Sequence, residues 1–189
     1  MTLVLFEGHN KKRAVTIALQ MKDYIKKGNR LLDIGLGNGY VAKQIRNHFK
    51  VYMEGVDVVD YNETDIKNTI YDGLCLPFKD KSFDCCLILQ TLHHCTDQIQ
   101  VLKEAKRVSR KRIIIMEDVY NNYFEKLMTF LHDYISNKRK GVDCPYYFHN
   151  KQEWKDIFDK LGLKIEKETD TVTKYLFLEF NNVTYVLNV

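Results

Sequence analysis

Apolar residues along the chain fall into two patterns, one with helical spacing and one made of the short continuous runs typical of buried strands. Over residues 12–26, Ala14, Ile17, Ala18, Met21, Tyr24 and Ile25 recur at i, i+3, i+4 and i+7, which predicts a helix stopped by Gly28 and Asn29. A buried strand follows from Leu31, then a loop with glycine at 35, 37 and 39, then a helix over 40–49 with Val41, Ile45 and Phe49 on one face. Further strands are predicted at 51–58, 66–71 and 83–89. Thr96 or Asp97 caps the next helix, whose apolar face is Val101, Leu102, Ala105 and Val108. A strand at 112–116 precedes a long amphipathic helix over 122–137 and a loop over 138–148. Asn150 and Glu153 then form a capping box for a helix through Trp154, Ile157, Phe158 and Leu161. The pattern ends in three strands, 163–169, 174–180 and 183–188, with Asn181-Asn182 as a two-residue hairpin turn between the last two.

Alternating helices and strands predict a mostly parallel sheet with helices on both faces, closed by an antiparallel ending. No linker or repeat interrupts residues 1–189, so they read as one domain. Alternate glycines let a backbone turn sharply and let a ligand lie directly on main-chain amides. A dinucleotide loop places its third glycine three residues after the second. That position is Tyr40, which turns the reading away from dinucleotides.

Three carboxylates, Asp33, Asp57 and Asp72, fall at the ends of the first three predicted strands. Strand C-terminal ends line the ligand crevice of an open parallel sheet, so the three share one edge. Asp57 stands 18 residues past Gly39, close to the spacing for a carboxylate that accepts both ribose hydroxyls, and Asp72 can accept from an adenine amino group.

Composition changes this picture little. With 45% hydrophobic and 29% charged residues and a net charge of +4, the chain is neither disordered nor basic enough to name a nucleic-acid partner by charge alone. Five scattered cysteines without C-x-x-C spacing read as reduced thiols of a cytoplasmic protein. A zinc site drawn from them with His93 and His94 lacks paired ligand spacing, so no metal is expected. No apolar run approaches the roughly 20 residues of a membrane helix, and no membrane partner is expected.

The run Asp33-x-Gly35-x-Gly37-x-Gly39 resembles the first motif of class I S-adenosylmethionine-dependent methyltransferases, of the type 11-like kind. Gly55-Val56-Asp57 is similar to that family's second-strand ending, 72–84 to its Asp-x-x-x-Leu-Pro-Phe-x-Asp-x-Ser-Phe-Asp signature, and Leu92-His93-His94 to the segment after its fourth strand. The resemblance covers about 30–118. It implies a Rossmann-like three-layer α/β sandwich with a seven-stranded sheet in the order 3-2-1-4-5-7-6. It also implies that Asp33 and the backbone of Gly35, Gly37 and Gly39 hold the methionine part of the cofactor. Asp57 would hold the ribose, Asp72 and Leu74 the adenine, and Gln90 would stand near the sulfonium. Two departures stand out: Ser109-Arg110-Lys111-Arg112 replaces a Pro-Gly-Gly turn before strand five, and three C-terminal strands rather than two leave room for an extra edge strand or a split sixth strand.

Methyl transfer from a sulfonium needs alignment and, for a hydroxyl or protonated amine acceptor, a base. Of the candidates His93, His94, Asp118 and Tyr120, the histidines titrate nearest neutrality. Tyr120, Tyr123, Tyr134, Tyr146, Tyr147, Phe148 and His149 are available to wall an acceptor site. A small-molecule acceptor is the leading expectation, with RNA or protein as the alternative and a non-catalytic cofactor-binding module last.

Overall fold

The computed structural model describes residues 15, 17–140, 145–175 and 178–189. Its strands, in chain order, are β1 (Arg30–Ile34), β2 (Tyr52–Asp57), β3 (Lys67–Ile70), β4 (Phe83–Leu89), β5 (Ser109–Val119), β6 (Lys164–Tyr175) and β7 (Leu178–Asn188). They form one sheet in the order β3-β2-β1-β4-β5-β7-β6, the order the resemblance implies. The first five pair in parallel, and β7 runs antiparallel to both of its neighbours. The helices are α1 (Tyr40–Phe49), α2 (Gln98–Val108), α3 (Tyr123–Lys140) and α4 (Lys151–Lys160).

Successive strand residues point to opposite faces, and the two faces build separate cores. Leu32, Cys86 and Ile113 pack with Val101, Leu102 and Ala105 of α2 and with Trp154 and Phe158 of α4. Their neighbours Leu31, Cys85 and Ile114 pack with Ala42 and Ile45 of α1 and with Ile17, Ala18 and Met21 from helical residues 17–21. This is the three-layer sandwich of a sheet covered on both faces. Ile113, Ile114 and Ile115 are all wholly buried, each contributing about 1.5 to 3 kcal/mol, which is why β5 sits inside the sheet rather than at an edge.

Helix starts follow the sequence closely. Asp97 rather than Thr96 caps α2, accepting from the Gln100 amide at 2.8 Å. Asn150 and Glu153 make the reciprocal capping box at α4, at 2.9 and 2.7 Å. The helix predicted over 12–26 lies partly outside the described residues.

Two expectations are corrected. The strand predicted at 112–116 starts earlier: β5 begins at Ser109, which pairs with Phe83 of β4. The charges of its first residues are accommodated because acidic partners flank the strand end, Lys111 lying 3.3 Å from Asp84 and Arg112 2.7 Å from Glu166. Nor do Asn181 and Asn182 form a turn. They pair inside β7 with Val119 and Asp118 on one side and with Val172 and Thr171 on the other. The buried Asn182 side chain is accommodated by the Phe180 carbonyl at 3.1 Å, Thr173 Oγ1 at 3.2 Å and the Gln90 amide at 3.0 Å. The last two strands therefore pair from Lys164↔Asn188 to Tyr175↔Leu178, and among the described residues the sheet has no eighth strand.

Candidate functional site

The C-terminal ends of β1 and β2 converge on the glycine loop. Gly35 has φ +82°, and a Cβ there would lie 2.3 Å from Thr91 Cγ2, so its small size lets the loop after β1 meet the loop after β4. The Gly37 N–H donates to Asp57 Oδ2 at 2.8 Å, while Asp57 Oδ1 accepts from the Val58 N–H at 2.7 Å. A Cβ at Gly37 would meet nothing within 4 Å, so this side of the loop is open to a ligand.

Asp33 is 3% exposed, and its Oδ1 has no hydrogen-bond partner. Burial and, after it, the nearby Asp57 push its carboxyl up to about 8. A buried carboxyl with an unsatisfied oxygen beside a second carboxylate is a place where a cationic group is stabilised. Asp72 is exposed beyond β3, and its Oδ1 accepts from the Cys75 and Leu74 amides, both at 2.8 Å. Those two hydrogen bonds hold its carboxyl below the ordinary range. Leu74 is 44% exposed, an apolar surface next to Asp72. The structure thus brings Asp33, Gly35, Gly37, Gly39 and Asp57 together, with Asp72 and Leu74 following the neighbouring edge strand.

The segment after β4 is organised from behind by a residue that the sequence reading passes over. Glu117, 1% exposed near the end of β5, accepts from the Thr91 and Leu92 amides through Oε1 at 2.8 and 2.7 Å. Its Oε2 lies 2.6 Å from His93 Nδ1. One carboxylate therefore fixes the short 3₁₀ turn Leu92–His94 and orients its central ring. The other ring nitrogen of His93 lies 3.1 Å from Asp133 Oδ2 of α3. Phe148 stacks on the same ring at 4.9 Å, and the Tyr147 N–H donates to the His93 carbonyl. His93 is only 2% exposed; burial alone would lower its pKa, but Glu117 and Asp133 outweigh burial and hold it well above the ordinary value. His94 is half-buried, its ring 4.2 Å from that of His93.

Gln90 adopts φ 54°, and its amide donates to Asp118 at 3.2 Å and Asn182 at 3.0 Å. Burial raises the Asp118 carboxyl to about 6. The sequence offers a faint signal for Glu117, an acidic residue closing an apolar strand, but none for Asp133, which sits on an ordinary amphipathic helix.

Tyr146, Tyr147, Phe148 and His149 line a cavity of about 340 Å³ together with Gln98 and Lys126. None of the glycine-loop residues lines it, and Phe148 is shared between the cavity and the His93 stack. Of the other aromatics expected to wall a site, Tyr120 donates to Glu153 at 3.0 Å and Tyr123 is 82% exposed.

Comparison with known proteins agrees with this geometry. A methyltransferase-domain family model matches residues 32–115. A 27-O-demethylrifamycin SV methyltransferase of Amycolatopsis mediterranei is 31% identical over 99 residues, 46% of this chain and 36% of that protein, so the chain spans about a third of its length. An uncharacterized protein of Methanocaldococcus jannaschii is 31% identical over 160 residues, covering 82% of this chain and 73% of that one. The crystal structure of a candidate methyltransferase from Bacillus halodurans shares the fold with a TM-score of 0.71 at 14% identity, over 94% of this chain and 97% of that one. The family match starts within β1 and runs through the glycine loop into β5, the same stretch in which the structure gathers its carboxylates, and residues 32–115 accordingly form a methyltransferase domain.

Proposed function

We propose that this protein moves a methyl group from S-adenosylmethionine to a small-molecule acceptor bound beside the His93-His94 turn. The observation that carries the reading is Asp33: a buried carboxyl with one unsatisfied oxygen, next to a loop whose outer side is open at Gly37. That pair suits a cofactor whose methionine part carries an ammonium group and lies against backbone amides. When bound, the cofactor supplies an electrophilic methyl on a sulfonium whose leaving thioether needs no acid.

The chain's own residues then bind and align. Asp33 and the backbone of Gly35, Gly37 and Gly39 hold the methionine part, and Asp57, fixed on its loop by the Gly37 and Val58 amides, takes the ribose hydroxyls. Asp72 and the exposed Leu74 take the adenine, one by hydrogen bond and the other by its flat apolar contact. Gln90, tied to Asp118 and Asn182, is a rigid wall near the sulfur rather than a mobile ligand. The clamped His93 positions the turn, and His94, half-buried beside it, is the group that receives a proton from an oxygen or nitrogen acceptor. Positioning of this kind supplies up to about 7 to 11 kcal/mol, and a base adds about 10²- to 10⁴-fold. A small acceptor is favoured over RNA or protein by the modest net charge of +4 and by an aromatic-lined cavity of about 340 Å³ adjoining His93 through Phe148.

Incubating a cell extract with the protein and deuteromethyl cofactor, then separating metabolites, RNA and protein before mass spectrometry, tests the reading. Label in a small molecule is the expected result. Label confined to the RNA or protein fraction would replace the acceptor class, and its absence from every fraction would remove the activity.

A further inference from the structure

We propose that His93, His94 and Asp133 form a binding site for a divalent transition cation of the zinc or iron(II) class, with Glu117 orienting His93 from behind. Each of the three offers a donor atom, and these atoms all lie within 4.8 Å of one another. Two come from the 3₁₀ turn and the third from α3, so the site bridges two elements far apart in sequence.

The contact between His93 and Asp133 has the form of a ligand pair. Nε2 and Oδ2 are 3.1 Å apart, yet Oδ2 is buried without a hydrogen bond of acceptable direction. Ligands about 2.0 to 2.1 Å from a tetrahedral ion stand about 3.3 Å apart. The opposite nitrogen supplies independent support. His93 Nδ1 lies 2.6 Å from the buried Glu117, and a metal-bound histidine characteristically donates its second ring N–H to a carboxylate, fixing the tautomer and raising ligand basicity.

The donor set of two imidazoles and a carboxylate suits zinc, iron(II), cobalt(II) or manganese. Cys95 is not a member, its thiol being directed to the Thr91 carbonyl at 3.4 Å. A cation held by three side chains keeps positions open for an oxygen of the acceptor, which would relieve His94 of its role as base. That consequence rests on the proposed acceptor side; the binding itself does not.

The test uses the full untagged chain, stripped with chelator and titrated with zinc and with cobalt(II), read by calorimetry and by cobalt visible absorption. The expected result is one equivalent bound, with no thiolate charge-transfer band. His94→Ala and Asp133→Asn should each weaken binding by about 100-fold or more. Both should still bind S-adenosylmethionine, so a loss of metal binding is distinguishable from a loss of the cofactor site. If His94→Ala fails to fold, the near-isosteric Asp133→Asn decides. No stoichiometric binding, affinity that survives the substitutions, or a thiolate band would each overturn the proposal, and intact cofactor binding beside any of them would leave the methyltransferase reading standing.

Discussion

The proposed cofactor edge and the histidine turn are both carboxylate sites at the ends of parallel strands, but they are assembled in opposite ways. At the cofactor edge, Asp33, the glycines and Asp57 come from one stretch of β-loop-α-β chain, and the key contact, Gly37 N–H to Asp57, spans 20 residues. At the histidine turn, Glu117 meets His93 across 24 residues, and Asp133 and Phe148 arrive later still from α3 and the segment before α4. The first region is built from backbone amides and loop shape. The second is built from side chains whose positions depend on how distant elements pack. A site of the first kind is a local property of sequence; a site of the second kind exists only once the sheet has formed.

The largest expected effect lies at the turn. Glu117→Ala leaves His93 with only Asp133 and strips the Thr91 and Leu92 amides of their acceptor, so it should destabilise the fold by about 3 to 5 kcal/mol in urea unfolding. A loss under about 1 kcal/mol would mean the turn is held by packing alone, and the contrast between the regions would fail.

Next comes the contact that joins them. Gly35→Ala places a Cβ against Thr91 in a left-handed backbone, at a cost of about 2 to 4 kcal/mol. Thr91→Ala in the same chain should restore part of that loss, because it removes both of the nearest atoms. Complete additivity of the two substitutions would show that the loops do not touch.

A smaller effect sharpens the electrostatic difference. The folded-state pKa of Asp33 stands near 8, above its ordinary 3.8, so its contribution to stability is fully present below about pH 4 and is lost as pH rises through 8. Relative to Asp33→Asn, the cofactor-free protein should therefore lose about 1 kcal/mol per pH unit between pH 5 and 7 in urea melts. Parallel curves for the two proteins would mean that Asp33 ionises freely.

The same contrast accounts for what the sequence discloses. The alternation of strands and helices, both helix caps and the candidate residues of the strand-end edge are legible, because glycine spacing, strand-end carboxylates and apolar periodicity are local signals, whereas the sheet order is what the family resemblance implies. The turn read at Asn181-Asn182 fails because asparagine favours turns only where its side chain lacks better partners; here Asn182 has Thr173, Phe180 and Gln90 around it inside the sheet. The strand read at 112–116 starts three residues earlier, because Asp84 and Glu166 lie beside its basic beginning. His93 and His94 were visible as candidates, but their separate situations were not, since Glu117 and Asp133 give no local sign of where they will point.

The most direct test of the central claim is the affinity of S-adenosylmethionine for the wild-type chain and for Asp57→Ala, measured by calorimetry with folding checked by circular dichroism. If the edge formed by β1, the glycine loop and β2 is the cofactor site, the wild type binds one equivalent and the variant binds about 10- to 150-fold more weakly, a loss of about 1.5 to 3 kcal/mol. Equal affinity in a folded variant, or no binding by the wild type, would contradict the account.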